Sequence, residues 1–192
     1  MNNFSSDKLS KSIAKSLNES IELSGKASLV VCGGNSPLSI YQKLSIVDLD
    51  WNNVSIFLGD DRLLPSDHID SNENLLRKNL LINNAKSAKF IPLVQPSIDI
   101  KDIALPFDIV LLGLGPDGHF ASLFPEQVKL SSAFSIDAEP DFLCSDIPLG
   151  SPSYKRISMN LALLLNTKRC ILLVTNSDKR LVVEKASTNN KM

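Results

Sequence analysis

The chain has two histidines, and one of them, His119, stands in "GLGPDGHFASLF" (113–124), between a Gly-Pro-Asp-Gly turn and an apolar segment. Imidazole titrates near neutral pH without a large shift, so a histidine on a tight loop behind a strand can act as a general base. Other short stretches carry complementary groups. "GDDRLLP" (59–65) sets Asp60 and Asp61 beside Arg62. "CGGNSP" (32–37) supplies Gly33, Gly34, Asn35 and Ser36. Glycines there let backbone approach a ligand, and free N–H groups at a helix start favour an anion. "VTNSDK" (174–179) brings Lys179 to the first turn of a helix, where a cation is unfavourable unless an anion pairs with it. Arg156, in "YKRISMN" (154–160), is a second candidate partner for that anion.

Elements that would position these groups are visible as apolar periodicity. Leu9, Ile13, Leu17 and Ile21 recur every fourth residue, which predicts an amphipathic helix over 7–23. Strands are expected at 27–34, 54–60, 107–113, 155–160 and 169–175, with helices at 36–44, from Ser71 or Asn72 to about Ile82, at 161–165 and at 177–186. Ser36 is expected to cap the second helix, with Pro37 at its first position. Apolar strands alternating with helices imply a parallel sheet covered on both faces. Ligands bind outside the carboxyl ends of such strands. Gly33–Ser36, Asp60–Arg62, Gly113–His119 and Asn176–Lys179 all follow strand ends, so they are expected to converge on one rim.

Composition narrows the function. A chain of 192 residues, 43% apolar, predicts one domain spanning 1–192 with a substantial core. Lys and Arg total 20 against 21 Asp and Glu, so nothing argues for nucleic acid, and an anionic ligand must be met by locally placed cations. No apolar run approaches membrane-spanning length, and the N-terminal stretch lacks the apolar core of a signal peptide. A cytoplasmic protein without membrane partners is expected. Cys32, Cys144 and Cys170 lack metal-ligand or redox spacing and are expected to be reduced and mostly buried. His68 lies in a polar loop and is expected to be solvated.

Three other chemistries find little support. "GLGPDG" formally contains a dinucleotide fingerprint, and Asp137 stands near the place of a ribose-binding acid. Pro116, however, removes an N–H from that turn, and the first strand–Gly–helix unit lies at 27–44. No Gly-x-Ser-x-Gly elbow is present for a serine nucleophile. His119 has no ligand-spaced neighbours for a metal.

Taken together, "CGGNSP", "DDR…P…SN", "GLGPDGHFASLFP", "RIS" and "TNSDK" resemble, in the same order, motifs of the 6-phosphogluconolactonase family, relatives of glucosamine-6-phosphate isomerase/deaminase. The match covers roughly residues 27–186, and the His119 block is its most specific part. The resemblance implies an α/β fold, a modified Rossmann-like three-layer sandwich with a mostly parallel sheet. It implies hydrolysis of the δ-lactone of 6-phosphogluconate in the oxidative pentose phosphate pathway, with no metal and no organic cofactor. By motif position, His119 would activate water, with Asp60 and Arg62 beside the reacting sugar. Gly33, Gly34, Asn35 and Ser36, with Lys179 and Arg156, would hold the phosphate. The small-molecule partner would be a phosphorylated sugar lactone, handled by a monomer or weak homo-oligomer.

Two alternatives follow from the same residues. The deaminase branch typically reads Gly-His-Ile-Ala-Phe-Asn-Glu-Pro, whereas "GHFASLFP" puts Phe124 in that glutamate's place, and an apolar ring cannot transfer protons. A sugar-phosphate sensor without turnover is the second. The chain departs from the family pattern at Cys32 and Asn35, which replace hydroxyls, and at Asp61, which replaces Glu. Asn176 stands where glycine is common, and Asn tolerates the left-handed conformation best among the alternatives. The C-terminal end is shorter than usual for the family, which predicts an active but marginally stable enzyme.

Overall fold

The computed structural model describes residues 5–94 and 99–189. The elements run α1 (Ser6–Ser24), β1 (Ala27–Val31), α2 (Leu38–Ser45), β2 (Val54–Leu58), β3 (Asp60–Arg62), α3 (Asn72–Asn79), β4 (Lys89–Ile91), β5 (Phe107–Gly113), α4 (Ser131–Phe134), β6 (Phe142–Cys144), β7 (Arg156–Met159), α5 (Leu161–Leu165), β8 (Thr167–Leu173) and α6 (Ser177–Asn189). The helix predicted from the four-residue repeat is α1. Ser5 caps its first turn by accepting from Lys8 N–H, and Gly25 ends it at φ 73°, donating to the Ile21 carbonyl.

Five strands form a wholly parallel sheet in the order β4-β2-β1-β5-β8. Alternate residues feed two cores. Leu29, Val31, Ile56, Leu58, Ile109 and Leu111 pack with α1, α2 and α3 on one face. Val30, Phe57, Val110 and Leu112 pack with Met159, Leu163 and Leu164 on the other. Helices on both faces make the three layers. Among the described residues no helix is long and apolar enough to cross a membrane.

Three short strands form a second, antiparallel sheet in the order β3-β7-β6. The continuous strand expected over 54–60 therefore breaks at Gly59, whose N–H still bonds Val31 O while its carbonyl accepts from Met159 N–H. Residues 155–160, expected in the parallel sheet, pair instead with β3 and β6. Pairing is decided by distant partners, which local periodicity cannot report.

Local chemistry overrode several other expectations. Helix α2 starts at Leu38 with Pro37, not Ser36, at the cap, and the Ser36 hydroxyl accepts from Lys179 Nζ at 3.0 Å. Ser71 is the cap of α3, which ends at Asn79 and does not reach Ile82. Asn176 does not use its tolerance of the left-handed region: among the described residues the non-glycine ones at positive φ are Asn83 and Ala121. Its Oδ1 accepts from Lys179 N–H at 2.9 Å, so it starts α6 as a cap. All three cysteines are free, but only Cys32 is buried. His68 is half-buried, its Nδ1 accepting from Asp70 N–H and its ring edge-on to Tyr154.

One buried carboxylate ties the layers together far from the rim. Asp108 on β5 accepts from Ser20 Oγ of α1, Ser28 N–H of β1 and Lys168 Nζ of β8, each at 2.7 Å. Burial pushes its pKa up, but the Lys168 bond and the Ser20 and Ser28 donors outweigh that and hold it below the usual range. A depressed carboxyl contributes fully at neutral pH, and the contribution is lost as pH falls through the depressed value. Asp108→Ala is expected to cost about 2–3 kcal/mol at pH 7 with kcat unchanged. Chemical denaturation at pH 7 and below about pH 4 checks it: the gap between variant and wild type should shrink on acidification.

Candidate active site

The four strand-end loops meet around one cavity of about 220 Å³. Its lining includes Gly33–Ser36 after β1, Asp60 and Arg62 on β3, Gly113–Pro116 and His119 after β5, and Arg156 on β7. Lys179 of α6 and Asn72 of α3 complete it. His119, Asp60, Arg62, Arg156, Lys179 and the Gly33–Ser36 loop thus border one space.

Strand alternation sorts the "DDR" triplet. Asp60 and Arg62 share a face and line the cavity, while Asp61 points the other way. There Asp61 accepts from the backbone N–H groups of Arg62, Asn72 and Glu73 and from Ser71 Oγ, which anchors the start of α3. Asn72, the first residue of that helix, then reaches back. Its Nδ2 donates to the Asp60 carbonyl at 2.8 Å, and its Oδ1 accepts from Arg62 Nη1 at 3.2 Å. The same Nη1 bonds the Asp70 carbonyl at 2.5 Å. Gly33 packs so tightly against Asn72 that a Cβ there would overlap the Asn72 amide, which is why glycine is required at this point.

The charges are arranged for an anion. Asp60 is 5% exposed, and burial pushes its carboxyl up, opposed by the Ser122 hydroxyl bond at 2.5 Å and by Arg62, Arg156 and His119. Arg156 is equally buried; burial lowers its guanidinium pKa, and the neighbouring charge of Arg62 lowers it further. Arg156 is held by Nε to the Leu149 carbonyl, Nη2 to the Pro152 carbonyl and Nη1 to Ser122 Oγ. Two guanidiniums that repel one another, paired across β3 and β7 with one burial-stressed carboxylate near both, gain from an anionic ligand. Lys179 adds a third cation where α6 meets the Gly33–Ser36 loop, and Ser36 Oγ lies 3.3 Å from Thr175 Oγ1 on the same side.

His119 is held from its own turn. Its Nδ1 lies 2.5 Å from Asp117 Oδ1, and its backbone N–H donates to the same oxygen. With the carboxylate accepting, Nδ1 carries the proton and Nε2 is the basic nitrogen. Burial would raise the Asp117 pKa, but the His119 side-chain and backbone bonds prevail and lower it, so Asp117 stays ionised as an orienting acceptor. Gly115 closes the turn by donating to the His119 carbonyl at 2.7 Å, and a Cβ on Gly115 would overlap the imidazole.

Cys32 also touches the cavity but is no nucleophile. Burial pushes its thiol up to about 12, and Tyr41 pins its backbone through bonds to both the Cys32 N–H and carbonyl. Among the described residues no group of three His, Cys, Asp or Glu side chains is placed to hold a metal ion.

The sequence reading missed Asp117, Asn72 and Ser122 as parts of the site. Asp117 stood in the quoted turn, two residues before the histidine, and such an Asx spacing is itself a signal for an acid folded back on the ring. Asn72 is legible as a helix cap and as the last residue of the "DDR…P…SN" motif, but neither gives it a role in the site. Ser122 matches the lactonase pattern in the "GHFASLFP" block, but its role is not legible there, because its partners Asp60 and Arg156 come from other elements.

The sequence matches the family of glucosamine-6-phosphate isomerases/6-phosphogluconolactonase over residues 3–192. The chain belongs to that family. Among family members, the 6-phosphogluconolactonase of Neisseria meningitidis serogroup A is 35% identical over 191 residues, 93% of this chain and 82% of that one. The 6-phosphogluconolactonase of Helicobacter pylori is 38% identical over 183 residues, 90% of this chain and 78% of that one. The crystal structure of a 6-phosphogluconolactonase from Shewanella baltica superposes with a TM-score of 0.84 at 34% identity, covering 94% of this chain and 81% of the other. Within the family, this enzyme stands with the lactonase branch, whose members are hydrolases.

Proposed function

We propose that this enzyme hydrolyses 6-phospho-D-glucono-1,5-lactone to 6-phospho-D-gluconate, a step of the oxidative pentose phosphate pathway, with His119 as the general base. The observation that carries this reading is an imidazole held at Nδ1 by Asp117, its Nε2 without a hydrogen-bond partner among the described residues, in a cavity lined by three cations.

A δ-lactone is an activated ester and needs little more than a placed base and an oxyanion partner. Water attacks the lactone carbonyl carbon while Nε2 of His119 takes its proton. The tetrahedral oxyanion is met by a guanidinium, for which Arg62 beside Asp60 is best placed. Collapse breaks the bond to the ring oxygen, which receives the proton from the imidazolium. The new carboxylic acid then ionises, so one water is consumed and one proton released. Arg156, Lys179 and the Gly33–Ser36 loop hold the phosphate. Phe124 stands where proton transfer would be needed for isomerase chemistry and offers no titratable group.

Lys179→Ala is expected to raise KM about 10- to 100-fold, the equivalent of one charge-assisted hydrogen bond, with kcat within about twofold of wild type. Steady-state kinetics on the phosphorylated lactone measures both. The reading as a whole is tested by three substrates in parallel: the phosphorylated lactone, the same lactone without phosphate, and glucosamine 6-phosphate. It predicts strong preference for the first and no ammonia from the third. Ammonia release, or equal rates on the two lactones, would defeat it. Binding of 6-phosphogluconate without turnover of the lactone would identify a sensor instead.

A further inference from the structure

Phe124 closes the segment that begins at His119, and its ring is 5% exposed. The imidazole of His119 stacks on that ring, with centroids 4.6 Å apart and planes 26° from parallel. The guanidinium carbon of Arg156 lies 5.5 Å from the centroid of the same ring. The backbone beneath is fixed twice by Gln127, whose Oε1 accepts from Phe124 N–H at 3.1 Å and whose N–H donates to the Phe124 carbonyl at 2.9 Å. Gly150, at φ +74°, packs against both partners: a Cβ there would come 2.7 Å from Arg156 Nη2 and 3.0 Å from Phe124 Cζ. One aromatic ring therefore touches the base and a phosphate-side cation together, with no slack around it.

We propose that Phe124 is a positioning residue that sets the His119 ring plane and the Arg156 guanidinium from a single surface. The inference rests on the reading of His119 as the base. Asp117 alone fixes one point of the imidazole, and a ring hinged at one hydrogen bond can still tilt. A flat face stacked on it fixes the plane as well, and with it the direction of the Nε2 lone pair. An aliphatic side chain of similar volume would fill the space without supplying a face, either for the imidazole or for the cation. Base placement is rate-sensitive: a shift of about 1 Å can cost about 100-fold.

The test is Phe124→Leu, assayed well below its melting temperature beside wild type and His119→Ala. The expected result is a fall in kcat of about 10- to 100-fold, with a severalfold rise in KM as Arg156 loses its support. The fall in kcat at temperatures where the variant is folded is what a packing role alone would not give, and NMR of the imidazole tests the stacking itself. In a His68→Gln background His119 is the sole histidine, and its ring protons should lie upfield because of the stacked phenyl. That upfield displacement should vanish in Phe124→Leu. Unshifted His119 protons in the His68→Gln protein would overturn the inference even if the Leu variant failed to fold. So would a Leu variant that loses only thermal stability while keeping wild-type kcat. If His119→Ala itself keeps wild-type kcat, the base assignment falls and this inference with it; if His119→Ala fails and Phe124→Leu does not, only this inference falls.

Discussion

His119→Ala is expected to lower kcat for the phosphorylated lactone by about 10²- to 10⁴-fold, the usual contribution of a general base. KM should change little, because the proposal gives the phosphate to Arg156, Lys179 and the Gly33–Ser36 loop. The fold should survive as well. The imidazole is partly exposed, its polar partner is the neighbouring Asp117, and no buried charge is left behind by its removal. Circular dichroism and a melting curve establish that the variant is folded before the rate is read. A folded His119→Ala enzyme with wild-type kcat would remove the base from this account and leave only the cations to explain catalysis.

Arg62→Lys should cost about 10²- to 10³-fold in kcat, the range found when one preorganised oxyanion partner is lost. The charge is conserved, so a loss of this size would reflect geometry. Arg62 spends Nη1 on the Asp70 carbonyl and on Asn72, and its buried Nε has no hydrogen-bond partner among the described residues. The remaining face of the guanidinium borders the cavity beside Asp60. A lysine ammonium is a single point that cannot reach the Asp70 carbonyl and a reacting oxygen at once. Steady-state kinetics decides it. Retention of wild-type kcat in Arg62→Lys would assign the oxyanion to Arg156 or to backbone donors.

What the sequence made legible was what local pattern controls. The repeat of Leu9, Ile13, Leu17 and Ile21 specified α1, and the apolar run at 107–113 specified β5 to the residue. The second sheet was hidden because β3, β6 and β7 are three or four residues long and find their partners far along the chain. β4, with only "KFI", was too short to stand out.

The site divides in the same way. Charged groups at strand ends stand out where apolar strands stop, and His119, Asp60, Arg62, Arg156 and Lys179 all line the cavity. Residues that act through a partner stood in the motifs without showing which partner they meet. Asn72 looked like a cap, and only the fold shows its amide bridging Asp60 and Arg62. Ser36 is the converse case: it looked like a cap, but the fold brings a lysine from 143 positions later to its hydroxyl.

The most direct test of the central claim is the initial rate of 6-phosphogluconate formation from freshly generated lactone, wild type against a no-enzyme blank. The blank is essential, since such lactones also open unaided. The account predicts a rate well above the blank, saturating with substrate and requiring no added metal. A folded wild-type protein whose rate equals the blank would contradict it.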